Sequence, residues 1–321
     1  MANYEYRLTK EDEALYVKEI LQRRLSFSSR LRRRLKITGG IFINGAPVWL
    51  NARGREGDLL TVVFPEEESY FEPQDLPVGI AYEDGDLLVA NKPAGMVVHP
   101  TKNFQDGTLA NALAWHIKQG EAHGASPWKI RFVNRLDMNT SGLVIAAKNA
   151  HAQDFLNHEM ENGRVKKIYI ALAHGIVGGP GSCGTVDAPI DKDPNHVARR
   201  HVTPDGYPSV THYRVIEIFA PREGAPDGFS LLALRLETGR THQIRVHMTH
   251  IGHPLVGDDL YDAVCGYGET PWMPRQALHA AHLEFQHPVS GEPVIADAPL
   301  PDDIAAVLPE GLTAAQHVAD L

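Results

Sequence analysis

Between residues 11 and 25 the apolar positions Leu15, Val17, Ile20, Leu21 and Leu25 recur mostly at helical spacing, which predicts one amphipathic helix. Ser26 or Ser28-Ser29 can cap a second helix over residues 30–36, where Leu31 and Leu35 sit four apart on one face. Gly39-Gly40 ends it. Ile41-Phe42-Ile43 and Val48-Trp49-Leu50 then flank Asn44-Gly45, a strong hairpin signal, and REGDLLTVVF over residues 55–64 reads as a further strand. Residues 65–77 (PEEESYFEPQDLP) are acidic, carry three prolines and read as a linker.

From Ile80 onward the texture changes. Leu87-Leu88-Val89-Ala90 predicts a strand, and Thr108 can cap a helix whose Leu109, Leu113, His116 and Ile117 follow one face. Further strands are predicted over residues 142–147, 168–173, 212–219 and 231–237. The last alternates, with Leu232, Leu234 and Leu236 on one face and Ala233, Arg235 and Glu237 on the other. Most connections are too short for βαβ crossovers. The expected fold is therefore α+β: a mixed or antiparallel sheet with flanking helices, preceded by a small α+β region. Boundaries are expected at residues 1–65, 66–79 (linker) and 80–321, two domains being the natural prior for 321 residues.

Composition narrows the class. An apolar fraction of 43% can build a sizeable core, and Cys183 and Cys265 lack metal or disulfide spacing, as in a reduced compartment. The charged N-terminus and the lack of any membrane-length apolar stretch lead us to expect a soluble cytoplasmic protein, and a monomer. A net charge of −9 argues against indiscriminate nucleic-acid binding. Yet residues 23–36 hold seven basic side chains and no acidic one, whereas residues 276–321 hold seven acidic ones and no Lys or Arg. A local basic face on an acidic protein fits selection of one structured RNA, although a basic run alone reads as a solvated helix.

The chemistry is densest in VNRLDMNTSGLVIAAKN, residues 133–149, where Arg135, Asp137, Asn139, Thr140 and Ser141 run into an apolar β-branched strand. A paired charge on a tight turn beside a core strand is costly to hold and is common at active sites, but an isolated Arg-Leu-Asp is ordinarily a loop salt bridge. The surroundings decide. The stretch resembles the catalytic motif of the RluA-type pseudouridine synthases, with Asp137 at the position of the essential aspartate. Residues 91–100 (NKPAGMVVHP) look like that family's first motif, Lys167-Ile168-Tyr169-Ile170-Ala171 its tyrosine segment, residues 238–247 (TGRTHQIRVH) its third motif, and Gln276-Ala277-Leu278-His279-Ala280 a late structural motif. Five matches in order cover roughly residues 80–290.

This resemblance implies an RNA pseudouridine synthase that acts on structured RNA, with ribosomal RNA of the large subunit the first candidate and transfer RNA the second. It implies catalytic roles for Asp137, Tyr169 and Arg245, with Arg245 keeping the Asp137 carboxylate ionised. Arg135, Asn134, Thr140 and Arg240 are expected to meet RNA; Asn134 stands where many relatives carry histidine, so no imidazole role transfers to it. The isomerisation is redox-neutral, so neither cofactor nor metal is expected. The N-terminal helices and Asn-Gly hairpin resemble the alpha-L RNA-binding motif, which makes Arg30, Arg32, Arg33, Arg34 and Lys36 candidate phosphate contacts.

Two rival readings stand beside this one. One is a catalytically inactive RNA-binding or ribosome-assembly protein, weakened by the joint presence of Asp137, Tyr169 and Arg245. The other is a metal-dependent hydrolase using His242, His247, His250 and His253. If Thr241 caps a helix there, His247 shares the apolar face with Ile244, Met248 and Ile251, and His242 and His247 stand about 140° apart, a poor ligand pair.

Overall fold

The computed structural model describes residues 3–64, 67 and 69–309. The proposed linker falls partly on residues 65, 66 and 68, and the end of the acidic C-terminal run on residues 310–321, all outside the described residues.

The chain begins with β1 (Asn3–Arg7), a short 3-10 turn (Lys10–Ala14), α1 (Val17–Arg23) and α2 (Ser29–Thr38). The single helix expected over residues 11–25 is thus broken. Leu15 is extended, and Glu19 reaches back to the backbone N–H of Tyr16, restarting the helix. The second helix forms as expected: the Ser28 hydroxyl accepts from the Leu31 amide at 3.1 Å, and Gly39 closes it at φ +70°. β2 (Ile41–Ile43), β3 (Ala46–Pro47) and β4 (Leu59–Val63) complete a four-stranded sheet ordered β1-β4-β2-β3. Asn44 and Gly45 turn the hairpin at φ +50° and +80°, and its second strand ends at Pro47, earlier than expected. Val17, Ile20, Leu21, Leu31, Leu35 and Leu60 share one core on this sheet.

The larger sheet is ordered β10-β13-β14-β9-β15-β8-β6-β5. In chain order its elements are β5 (Gly79–Glu83), β6 (Leu87–Lys92), α3 (Leu109–Ala122), β7 (Arg131–Phe132), β8 (Ser141–Ala147), α4 (Ala150–Glu161), β9 (Lys166–His174) and β10 (Cys183–Asp187). A separate hairpin of β11 (Ile190–Lys192) and β12 (Arg200–Val202) precedes β13 (Val210–Phe219), β14 (Phe229–Leu236) and α5 (Gln243–His250). β15 (Leu278–Gln286), β16 (Pro293–Asp297) and α6 (Asp302–Ala305) follow. β7 and β16 pair with β8 and β15, and among the described residues every pairing is antiparallel except β8 with β15. The fold is the mixed, largely antiparallel α+β sheet expected.

β14 keeps the expected alternation, and both of its faces are covered over residues 229–234. Leu232 and Leu234 pack with Ile244 and Met248 of α5, while Phe229, Leu231 and Ala233 pack with Ile168, Ile170 and Val256. Phe71, Leu76 and Val78, within the proposed linker, pack against the core under α3. The small sheet is docked on the large one: Phe27 and Tyr4 contact the His151 ring at centroid distances of 4.4 and 5.0 Å, and the Tyr4 hydroxyl donates to the Pro288 carbonyl at 3.2 Å.

Candidate active site

Asp137 lies on a tight turn between β7 and β8, at the junction of the only parallel strand pair among the described residues. The Thr140 amide closes that turn onto the Asp137 carbonyl at 3.1 Å. Glycine is required two residues on. Gly142 sits at φ +113°, and a Cβ there would stand 2.2 Å from the Ala280 carbonyl oxygen of β15. The Asp137 side chain is 25% exposed, so it is both anchored and reachable.

Arg245 comes from α5, the first helix after β14. Its Nη1 donates to Asp137 Oδ2 at 3.1 Å. Its Nε and Nη2 donate to the two oxygens of Asp258, each at 2.7 Å, and Asp258 is fully buried. Burial alone would lower the arginine's pKa, but Asp258, and after it Asp137, outweigh that and hold it above its usual value. The guanidinium is therefore a fixed cation with one carboxylate behind it and Asp137 in front. Tyr261 adds a ring 5.1 Å from the guanidinium.

Tyr169 of β9 lines the same cleft and is buried. Burial, and secondarily the Asp137 charge, raise its phenol well above the ordinary tyrosine range, so it stays protonated. His242 precedes α5 in a left-handed conformation (φ +58°), costing about 1 kcal/mol for a residue with a Cβ. Its Nε2 lies 3.8 Å from Asp137 Oδ2 and its Nδ1 3.1 Å from the Tyr261 hydroxyl. Burial lowers its pKa against the pull of Asp137, which favours the neutral ring. Lys92, from the first motif, is fully buried, and burial draws its amine down to about 7 despite the nearby Asp137 charge.

An open cleft of about 730 Å³ is bounded by residues that include His99, Asn134, Asp137, Tyr169, Thr238 and Arg240. Its size lies within the ~300–1,000 Å³ general to ligand sites. A recess of about 60 Å³ shares Asp137 and Tyr169 and adds Thr140, Arg245 and Leu278. A separate cavity of about 320 Å³ between α2 and the large sheet holds none of these groups.

The other sequence candidates divide. Arg135 is exposed at the cleft, and Arg240 stands 5.6 Å from the Tyr207 ring. Thr140 is buried, with its hydroxyl accepting from Gln276 Nε2 at 3.3 Å. Asn134 spends both polar ends on β8, donating to the Leu143 carbonyl at 3.2 Å and accepting from the Ile145 amide at 2.8 Å. On α2, Arg30, Arg33 and Lys36 are exposed, while Arg32 donates to Gln22 at 2.6 Å and Arg34 pairs with Glu67.

The four clustered histidines do not converge. His247 is a core residue bonded to Thr211 Oγ1 and the Ala188 carbonyl, each at 2.9 Å, His253 faces the His174 carbonyl, and His250 is exposed. The helix there starts one residue later than a Thr241 cap would give, because His242 takes the cap position. Among the described residues, only Asp84, Asp86 and His287 bring three metal-capable groups together. Asp84 already accepts from Tyr82 and from two backbone amides, which marks a structural brace.

Asp258 is not singled out by the sequence, and His242 enters there only as a candidate metal ligand. Asp258 sits in a Gly-Asp-Asp run that reads as a turn, and only the fold turns it toward Arg245.

Residues 86–250, which carry Asp137, Tyr169 and Arg245, match the family described as RNA pseudouridylate synthase, and the chain belongs to that family. It is an RNA pseudouridine synthase of the RluA type, an isomerase acting on RNA. It is 40% identical over 287 residues to YjbO of Bacillus subtilis (strain 168), described as an uncharacterized RNA pseudouridine synthase, covering 88% of this chain and 95% of that one. It is also 40% identical over 290 residues to the ribosomal large subunit pseudouridine synthase D of Xanthomonas campestris pv. campestris, covering 87% and 83% of the two. The structure resembles human RNA pseudouridylate synthase domain containing 1, with a TM-score of 0.57 and 26% identity, over 76% of this chain and 96% of that one. No helix among the described residues is long and apolar enough to cross a membrane.

Proposed function

We propose that Asp137 is the carboxylate that carries the reaction on a uridine turned out of its RNA stack. The observation behind this is the Arg245 guanidinium, fixed from behind by Asp258 and donating to Asp137 Oδ2 at 3.1 Å. In the reaction the bond from ribose C1′ to N1 breaks, the base turns, C1′ joins C5, and the C5 proton leaves while N1 gains one. An ionised carboxylate can attack the sugar or act as base, and Arg245 favours that ionised form. Tyr169 stacks on the uracil and offers a hydroxyl near C5, working as a neutral phenol rather than a phenolate. Arg135 props the gap left by the displaced nucleotide, and Thr140 and Arg240 steady the turn and the strand of RNA beside it.

These steps use side chains only. Turnover should therefore survive exhaustive EDTA treatment and need no added nucleotide. Pseudouridine formation measured before and after chelation checks this, and recovery of a lost activity by zinc would revive a metal-dependent reading.

Large-subunit ribosomal RNA is the proposed substrate, on the likeness to the Xanthomonas enzyme named for it, with transfer RNA the next to test. We read the protein as a cytoplasmic monomer. Residues 1–65 are proposed as an alpha-L-type RNA-binding domain, 66–79 as a linker and 80–321 as the catalytic domain. In the first, Arg30, Arg33 and Lys36 are the exposed cations best placed for phosphates. Arg34 is a poorer choice because Glu67 already engages it. Replacing Arg30, Arg33 and Lys36 by Gln should weaken RNA binding and reduce its log-log salt slope by about 2 to 3. Turnover at saturating RNA should change much less. Binding isotherms at several salt concentrations test this; an unchanged slope returns the run to a solvated helix.

A further inference from the structure

The turn that carries Asp137 is held from outside the cleft, one residue after another. Lys92 Nζ donates to the Met138 carbonyl at 3.0 Å, as well as to the carbonyls of Pro93 and Met96. Arg275 Nη1 donates to the next carbonyl, that of Asn139, also at 3.0 Å. Gln276 reaches the Thr140 hydroxyl, and His279 Nδ1 lies 2.9 Å from Ser141 Oγ. Two buried basic side chains thus hold consecutive carbonyls immediately after Asp137.

Arg275 is itself positioned from farther away. Its Nε and Nη2 donate to the two oxygens of Asp303 on α6, at 2.6 and 2.8 Å. The remaining guanidinium contacts go to the carbonyls of Gln276 and Leu278 and to Ser141 Oγ. Next to Asp303, Ile304 is fully buried in the core with Ile168, Leu231 and Val256, so the carboxylate stands on a fixed base. Asp303 and Arg275 both lie outside residues 86–250, the span matched by the family. A bidentate carboxylate locks the guanidinium plane, and that plane aims Nη1 at Asn139. Without Asp303, a buried cation close to Lys92 would be left facing only neutral carbonyls and a hydroxyl.

We propose that Asp303 and Arg275 are positioning residues for Asp137: α6 orients the Arg275 guanidinium, which holds the Asn139 carbonyl and so fixes where the carboxylate meets the sugar. This rests on the reading that Asp137 carries the reaction. Displacing a reacting group by about 1 Å can cost roughly 100-fold in rate. The pair touches no substrate, so affinity for RNA should be spared.

The test uses the full chain with Asp303→Asn, Asp303→Glu, Arg275→Lys and Asp137→Asn, measuring RNA affinity, single-turnover rate at saturating RNA and thermal unfolding. Asp303→Asn and Arg275→Lys should lose about 10- to 100-fold in rate with affinity within about twofold, and Asp303→Glu should recover most of the loss. If Asp303→Asn fails to fold, Asp303→Glu and Arg275→Lys decide on the same rate-against-affinity split. Full rates in these variants beside an inactive Asp137→Asn would overturn the positioning role and leave Asp137 in place. Rate and affinity falling together with stability, without rescue by Glu, would overturn it as mere support of the fold. An active Asp137→Asn would sink both readings.

Discussion

Asp137→Asn should abolish turnover while leaving RNA binding intact. The amide keeps the shape of the side chain and can still meet Arg245 Nη1, but it can neither form a covalent bond to the sugar nor take a proton. The expected loss is on the order of 1,000-fold or more in single-turnover rate, the scale general to base or covalent catalysis. Folding should be little changed, because Asp137 is 25% exposed and the Asp258 pair remains to hold Arg245. Side-by-side titration of RNA binding and measurement of pseudouridine formation separate the two effects. Substantial product from this variant would remove Asp137 from its role.

Arg245→Lys should be nearly as damaging, for a different reason. Arginine spans two carboxylates at once, with Nε and Nη2 on Asp258 and Nη1 on Asp137. A lysine ammonium is a point charge on a flexible stem and cannot hold both in fixed geometry. We expect about a 100-fold loss of rate with modest loss of affinity. Asp258→Asn should give a similar rate defect together with lower stability, since it breaks a buried ion pair and leaves the cation only the part-exposed Asp137. Rate constants and denaturant midpoints for the two variants check this. Parental turnover by Arg245→Lys would show that the bridge does not matter.

The parts of the site that were legible in the sequence are those carried by the motifs of a known family. Asp137, Tyr169 and Arg245 lie in runs that resemble those motifs, and that resemblance is what singled them out. The close approach of Gly142 to Ala280 of β15 shows only in the fold. Partners that meet only through long-range packing were not legible. Asp258 is thirteen residues from Arg245, and nothing in its neighbours distinguishes it from a solvated turn aspartate. The fold shows the same division. α2 was readable because Ser28 and Gly39 mark its ends, whereas the break at Leu15–Tyr16 was hidden under an unbroken apolar spacing. His247 looked like a possible ligand in sequence; its two bonds to Thr211 and Ala188 make it part of the packing between α5 and β13.

The most direct measurement is a map of pseudouridines in total RNA from cells with the gene, cells without it, and cells without it that express Asp137→Asn. Discrete positions should disappear when the gene is removed, return with the parental chain, and stay absent with Asp137→Asn. Large-subunit ribosomal RNA is where they are expected. An unchanged map after removal of the gene, or its restoration by Asp137→Asn, would contradict the account.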